Sequence, residues 1–240
     1  MIYEDFSNLI DKYSSEMEIM FNEKQKQQML EYMDLLIDWN EKINLTAITE
    51  PEEIILKHFI DSITISKYIK KNSYIVDVGT GAGFPGIPLK ILRDDINVVL
   101  VDSLNKRVNF LNEVINELEL KNIKAIHSRA EEFGQNNEYR EKFDIVTSRA
   151  VANLATLSEY LVPLAKINGK CLCMKGPDVE EEVNAGKKAI DILGGTISNV
   201  YKFNLPNSDI GRTIVEITKV KNTNKKYPRK AGLPSKEPIK

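Results

Sequence analysis

Three glycines in five residues, Gly79, Gly81 and Gly83, follow Asp77 in the stretch Asp77-Val-Gly-Thr-Gly-Ala-Gly-Phe-Pro-Gly-Ile-Pro88. Glycine weakens most elements unless its backbone freedom is used, so such a cluster reads as a tight turn against which a ligand can lie. The alternative is a strand–helix turn with no ligand. A dinucleotide-binding turn of that spacing would need glycine at position 84, which is Phe, and the Gly-Lys-Ser/Thr ending of a triphosphate loop is missing. Pro85 and Pro88 lack the N–H that a helix start would offer a pyrophosphate. The expected ligand is therefore less anionic than a pyrophosphate.

Further candidates sit where strands are expected to end, which is where ligands of α/β sheets lie. Asp102 comes 25 positions after Asp77 and could take ribose hydroxyls or cap the next helix. Ala130-Glu131 would border an adenine, with a solvated helix-start carboxylate as the other reading. Arg149 could hold a carboxylate or phosphate bidentately, or form a surface ion pair. Phe84 would be half core and half ligand wall. His58 and Asp61, three apart, share a helix face that either overhangs the glycine turn or is no more than a surface pair or a polar contact onto the core. Cys171 and Cys173 read as buried thiols in a strand, with no metal-ligand set beside them. No acid/base constellation stands out, and none is assigned a catalytic role.

The elements that must position these residues follow from hydrophobic periodicity. Residues 3–20 and 23–41 read as amphipathic helices, and 52–69 continue helically. Strands are expected at 73–78, 97–101, 124–128, 143–147 and 169–174, with helical patterns between them. Runs 197–203 and 212–220 suit a closing hairpin. Alternating β and α units imply a mostly parallel sheet with an antiparallel edge. The reading is an N-terminal helical cap (1–70), a Rossmann-like core (71–220) and a basic C-terminal tail (221–240).

Composition bounds the rest. At 240 residues and 42% hydrophobic, the chain can bury a full core. The formal charge of −2 is unevenly spread: residues 1–50 hold eleven acids against four bases, and residues 219–240 hold eight bases against one acid. That asymmetry suggests a basic arm for an anionic partner, with Lys225, Lys226, Arg229 and Lys230 set around Tyr227. A disordered, solubilising terminus would have the same composition. With no signal peptide or 18-residue apolar span, the expectation is a soluble, cytoplasmic protein without membrane association.

An acidic residue two places before Gly-x-Gly-x-Gly resembles the first motif of S-adenosylmethionine-dependent methyltransferases. A larger set narrows this: Trp39-Asn40, Asn44-Leu45-Thr46, His58, Asp61-Ser62, the Asp77–Pro88 turn, Val101-Asp102-Ser103, Lys106-Arg107, Phe143-Asp144, Thr147-Ser148-Arg149-Ala150, Lys175-Gly176 and Tyr227-Pro228-Arg229-Lys230-Ala231-Gly232. Together these closely resemble the RsmG (GidB) family of bacterial 16S ribosomal RNA guanine-N7 methyltransferases, from Trp39 to Pro238. The resemblance implies a class I (Rossmann-like) methyltransferase fold with a seven-stranded sheet, S-adenosylmethionine as cofactor, and methylation of N7 at position 527 in conventional 16S numbering. It implies cofactor contacts at Gly79, Thr80, Gly81, Phe84, Asp102, Ser103, Leu104, Ala130, Glu131 and Arg149. Substrate contacts are expected at Arg149, Lys175, Lys225, Lys226, Arg229 and Lys230. The protein is expected to act as a metal-free monomer on 16S rRNA or the small ribosomal subunit. A methyltransferase acting on a small molecule or protein, and an RNA-binding module without turnover, are the rival readings.

Overall fold

The structure is a computed structural model that describes residues 1–239. Helices α1 (Tyr3–Ser15) and α2 (Glu23–Ile43) form the N-terminal layer. Asn22 caps α2 reciprocally with Gln25, satisfying two end donors at once. A third helical stretch runs through α3 (Pro51–Ile54), a π-helical turn (Ile55–Ile60) and α4 (Asp61–Ile63). The π turn widens the helix in the residues that carry His58, and such turns recur at functional sites.

The core then alternates strand and helix: β1 (Tyr74–Val78), α5 (Gly86–Leu92), β2 (Asn97–Asp102), α6 (Asn105–Glu117), β3 (Ile123–His127), α7 (Ala130–Gln135), β4 (Phe143–Arg149), α8 (Leu154–Leu161), β5 (Ala165–Lys175), α9 (Glu180–Leu193), β6 (Gly195–Asn204), β7 (Gly211–Lys219) and a short α10 (Leu233–Lys236). One seven-stranded sheet has the order β3-β2-β1-β4-β5-β7-β6, with β7 antiparallel to both neighbours and the first five strands parallel. The strand order reverses between β1 and β4, so the crevice at their carboxyl ends is where a ligand is expected.

The pleat decides which side chains reach which layer. Ile75, Val98, Leu100 and Ile145 belong to a core shared with α1, α2, the 51–63 stretch, α5 and α6. Val76, Val78, Val99 and Val146 belong to a second core beneath α7, α8 and α9. Asp77, Asp102 and Arg149 alternate with the second set and so fall on the side of the N-terminal helices. Those helices are tied directly to the sheet layer: Gln25 donates to the carbonyls of Ile91 and Leu92 at 3.0 Å, closing the end of α5, and Gln28 donates to Leu118 at 2.8 Å. Tyr32, fully buried, donates its hydroxyl to the Ala82 carbonyl inside the glycine turn.

Several boundaries depart from the periodicity reading. Helix α1 ends at Ser15 instead of 20, α2 runs past 41 to Ile43, where Asn44 adopts a left-handed C-cap, and β5 begins at Ala165 instead of 169. Among the described residues, no helix is long and apolar enough to cross a membrane.

Candidate functional site

Gly79, Gly81 and Gly83 take φ of 69°, 63° and 99°, the left-handed region that side chains resist. The turn's donors are consumed locally. Gly79 and Thr80 donate to the Val101 carbonyl at 2.8 and 3.1 Å, Gly83 and Phe84 to Thr80, and Gly86 to Asp77. Few N–H groups remain to cradle a phosphate, in keeping with the two missing nucleotide signatures. A Cβ at Gly81 would meet nothing within 4 Å, nor would one at Gly176, and both glycines border a cavity of about 430 Å³.

Two carboxylates brace the turn from behind. Asp77 is fully buried; its Oδ2 accepts from the Thr80 hydroxyl at 2.6 Å and from Gly86 N–H at 2.9 Å, while Oδ1 has no partner. Burial raises its pKa to about 6, with the two hydrogen bonds opposing. Asp102 accepts from Gly81 N–H at 2.9 Å through Oδ2 and from Leu104 N–H at 2.9 Å through Oδ1. Helix α6 is capped at Leu104 and not at Asp102, which removes the helix-cap alternative for this carboxylate. The end of β2 is thereby locked to the glycine turn.

Opposite the turn, Arg149 is held on every side. Its Nη1 donates to the Lys57 carbonyl and to Asp61 Oδ2, each at 3.1 Å, and its Nη2 donates to His58 Nδ1 at 3.1 Å. Its guanidinium lies over the Phe84 ring at 5.0 Å. Burial pulls the arginine below its usual pKa range, and the Asp61 carboxylate opposes this. Because His58 Nδ1 accepts from Arg149, the proton of the neutral ring sits on Nε2 and is donated to Thr46 Oγ1 at 2.8 Å. Burial and Arg149 lower the His58 pKa to about 3. The ring stacks on Phe84 with centroids 4.4 Å apart and planes 11° apart. Asp61 also accepts from Arg212 Nε at 3.1 Å, and its Oδ1 has no partner.

The cavity therefore collects Gly79, Thr80, Gly81, Phe84, Arg149 and Lys175 from the sequence candidates. Asp102, Ser103, Leu104, Ala130 and Glu131 lie outside it, along the ends of β2 and β3. Phe84 is only 6% exposed and belongs more to the core than the half-and-half reading expected. Lys175 donates to the Ala152 carbonyl at 2.6 Å and to Glu182 at 2.5 Å, bracing the loop before α8. Glu131 accepts from the N–H of Gly232 at 2.8 Å. The C-terminal segment is folded onto α7 and α8. Arg229 pairs bidentately with Glu159, which is fully buried, while Lys225, Lys226 and Lys230 remain exposed.

His58 and Asp61 are drawn into the site, which settles the choice their spacing left open. Sequence reasoning assigned no role to Arg212, which reaches the site from a strand that pairs 151 residues away from Asp61. Nothing local to Arg212 signals this. Thr46 stood in a quoted motif without a role, and it proves to be the partner of His58. Both cysteines are free and buried, with burial pushing Cys173 up to about 12. Among the described residues, no three His, Cys, Asp or Glu side chains cluster as metal ligands.

Residues 25–210 match the family model described as rRNA small subunit methyltransferase G, GidB. A protein of that name from Desulforamulus reducens is 55% identical over 98% of this chain and 99% of its own length. One from Clostridium novyi is 50% identical over 98% and 97% respectively. Among solved structures, an S-adenosylmethionine-dependent methyltransferase from Aquifex aeolicus superposes with TM-score 0.53 at 20% identity, covering 74% of this chain and 97% of that one. M. jannaschii TYW2 in complex with AdoMet gives TM-score 0.54 at 14% identity, covering 67% and 75%. These structural likenesses concern the fold.

Proposed function

The chain belongs to the GidB family, rRNA small subunit methyltransferase G, and from that premise we propose that it transfers a methyl group from S-adenosylmethionine to N7 of a guanine in 16S ribosomal RNA, position 527 in conventional numbering. The observation that carries this reading is the cavity between the glycine turn and Arg149, whose ionisable groups are engaged in holding one another and not in activating a nucleophile.

The residues present fit the cofactor. Asp77 Oδ1 is a buried acceptor without a donor, suited to the field of a cationic ligand, and the open side of Gly81 gives that ligand room against the backbone. Asp102 takes the ribose hydroxyls, its carboxylate already oriented by Gly81 and Leu104. Ser103, Leu104 and Ala130 border the base. Arg149 presents positive charge to the cofactor carboxylate or to a substrate phosphate. Lys225, Lys226 and Lys230 supply charge for the RNA, while Lys175 and Arg229, paired with Glu182 and Glu159, hold their segments in place.

When bound, S-adenosylmethionine supplies an electrophilic methyl on a sulfonium sulfur. Guanine N7 carries a free lone pair, so the N7–carbon bond forms as the carbon–sulfur bond breaks and its electron pair stays on sulfur. No proton has to leave beforehand. The protein's task is then to align three atoms in line, which the fixed Phe84–His58–Arg149 wall is built to do. His58, neutral because its pKa is about 3, orients Arg149 and is not a general base. Work on ribosomal RNA would place the protein in the cytoplasm.

Incubation with labelled S-adenosylmethionine and 16S rRNA, followed by mass-spectrometric mapping, tests the proposal. Label on guanine N7 is the expected result. Label on a different nucleotide atom, or only on a small molecule or protein, overturns it. Single-turnover transfer should also be flat between about pH 6.5 and 9, where a histidine or cysteine base would reveal itself.

A further inference from the structure

The family model ends at residue 210, yet the chain beyond β7 is tied into the fold by specific hydrogen bonds. Arg140 donates from both guanidinium ends to the carbonyls of Tyr227 at 2.7 Å and Thr223 at 2.9 Å. Pro228 packs on Gly134, where a Cβ would approach its ring to 2.8 Å. Arg229 closes on the fully buried Glu159 through its backbone N–H at 2.7 Å and through Nε and Nη2 at 2.9 and 2.7 Å. A segment held in this way is not a solvated tail.

Its last contacts give the direction. Gly232 donates to Glu131 in the first turn of α7, and the Pro234 carbonyl accepts from the Thr156 hydroxyl at 3.1 Å in the first turn of α8. Those two turns follow β3 and β4 at the carboxyl ends of the sheet, the side on which its ligands lie. The loop leading into α8 rests on the glycine turn, with Val151 filling the space in front of Gly79. The segment from 229 to 234 therefore spans the gap between the helix starts that flank the nucleoside end of the groove. Leu104, across that end, keeps an apolar side chain 42% exposed, a surface a purine would cover.

We propose that residues 229–234 form a fixed wall behind the adenine of the cofactor, with Glu131 and Gly232 as its positioning pair and the Arg229–Glu159 pair as its anchor. Glu131 then acts through the strap it holds, and the purine binds only while the strap is in place. This rests on the reading of the groove as a site for S-adenosylmethionine. Gly232 suits its post because φ is +82°, and a Cβ there would meet open space. Alanine at this position strains the backbone without clashing.

The full chain carries its own probe, because Lys230 is exposed within the strap. Trypsin cleavage after Lys230 should slow about tenfold in S-adenosylhomocysteine at ten times its Kd, since ligand depopulates the open strap in proportion. Cleavage after Lys42, at the exposed end of α2, should not change. Gly232→Ala keeps the N–H but must hold a side chain at positive φ, so it should bind S-adenosylhomocysteine about five- to thirtyfold more weakly. It should keep the parent's 16S rRNA affinity. Saturating ligand that leaves the Lys230 cleavage rate unchanged overturns the proposal, as does parental cofactor affinity in Gly232→Ala. A parent chain that binds no S-adenosylhomocysteine overturns the functional reading instead, a result that calorimetry separates from the others.

Discussion

Asp61→Asn removes one negative charge at the point where the N-terminal helices, β4 and β7 meet. In the folded protein Asp61 is 3% exposed and its Oδ2 accepts from Arg149 and Arg212, each at 3.1 Å. The side chains of those arginines are 14% and 23% exposed, so neither can turn to water without disturbing the core. Breaking a buried pair costs about 3–5 kcal/mol because a charge is left uncompensated. The amide oxygen of Asn can still accept one of the two bonds, and Arg149 keeps the Lys57 carbonyl and His58 Nδ1. A loss of about 2–3 kcal/mol follows. For a chain of this size each kcal/mol lowers the midpoint by about 2–4 °C, so thermal unfolding should fall by about 4–12 °C. The same change loosens one of the contacts that fix the Arg149 guanidinium over Phe84, so the maximal rate of methyl transfer should drop more than cofactor affinity does. Asp61→Glu, keeping the charge, should recover more of the rate than Asp61→Asn. A midpoint within about 2 °C of the parent, with unchanged turnover, would refute the clamp and leave Asp61 a tolerated polar residue.

Other outcomes follow from the same geometry. Cofactor affinity measured by calorimetry should weaken as pH falls below about 6, because a proton on the buried Asp77 carboxylate removes the charge that favours a cationic ligand; flat affinity from pH 7 to 5 would contradict this. In the free protein the sign is opposite for stability: the raised Asp77 pKa contributes stability below its unfolded value of about 3.9 that is lost as pH rises through about 6, a trend Asp77→Asn should remove from urea-unfolding data. Asp102→Ala should weaken S-adenosylmethionine binding by roughly 1–3 kcal/mol, the range for losing a charged hydrogen-bond partner, and should also loosen Gly81. Replacing Lys225, Lys226 and Lys230 by Ala should flatten the salt dependence of RNA binding by up to about three units at nearly unchanged thermal stability. Arg229→Ala should behave differently and lower stability, because Glu159 would be left buried without its partner.

What could be read from the chain by itself was whatever depends on short-range chemistry. The turn after β1 was legible because left-handed backbone is open to glycine, and three glycines within five residues announce it. The alternation of apolar runs gave the sheet and its flanking helices, because burial on two faces leaves a period in the sequence. That Asp77, Asp102 and Arg149 share a face was decided by the register of β1 with β2 and β4, because strands buried on both sides leave no alternation to read. Which of His58 and Asp61's two readings held was decided only by tertiary structure, since helical spacing shows that two side chains are neighbours and not what lies across from them. Arg212 could not have been found at all: its partner is 151 residues distant, and an isolated arginine at the start of a strand looks like any solvated base. The basic terminus is the clearest case. Its composition is that of a free arm, but Glu159, 70 residues upstream, is buried so completely that only a bound cation makes its burial tolerable, and Arg229 is that cation. Charge along a sequence reports how a segment would behave in water; where it rests depends on which opposite charge the fold has already taken out of water.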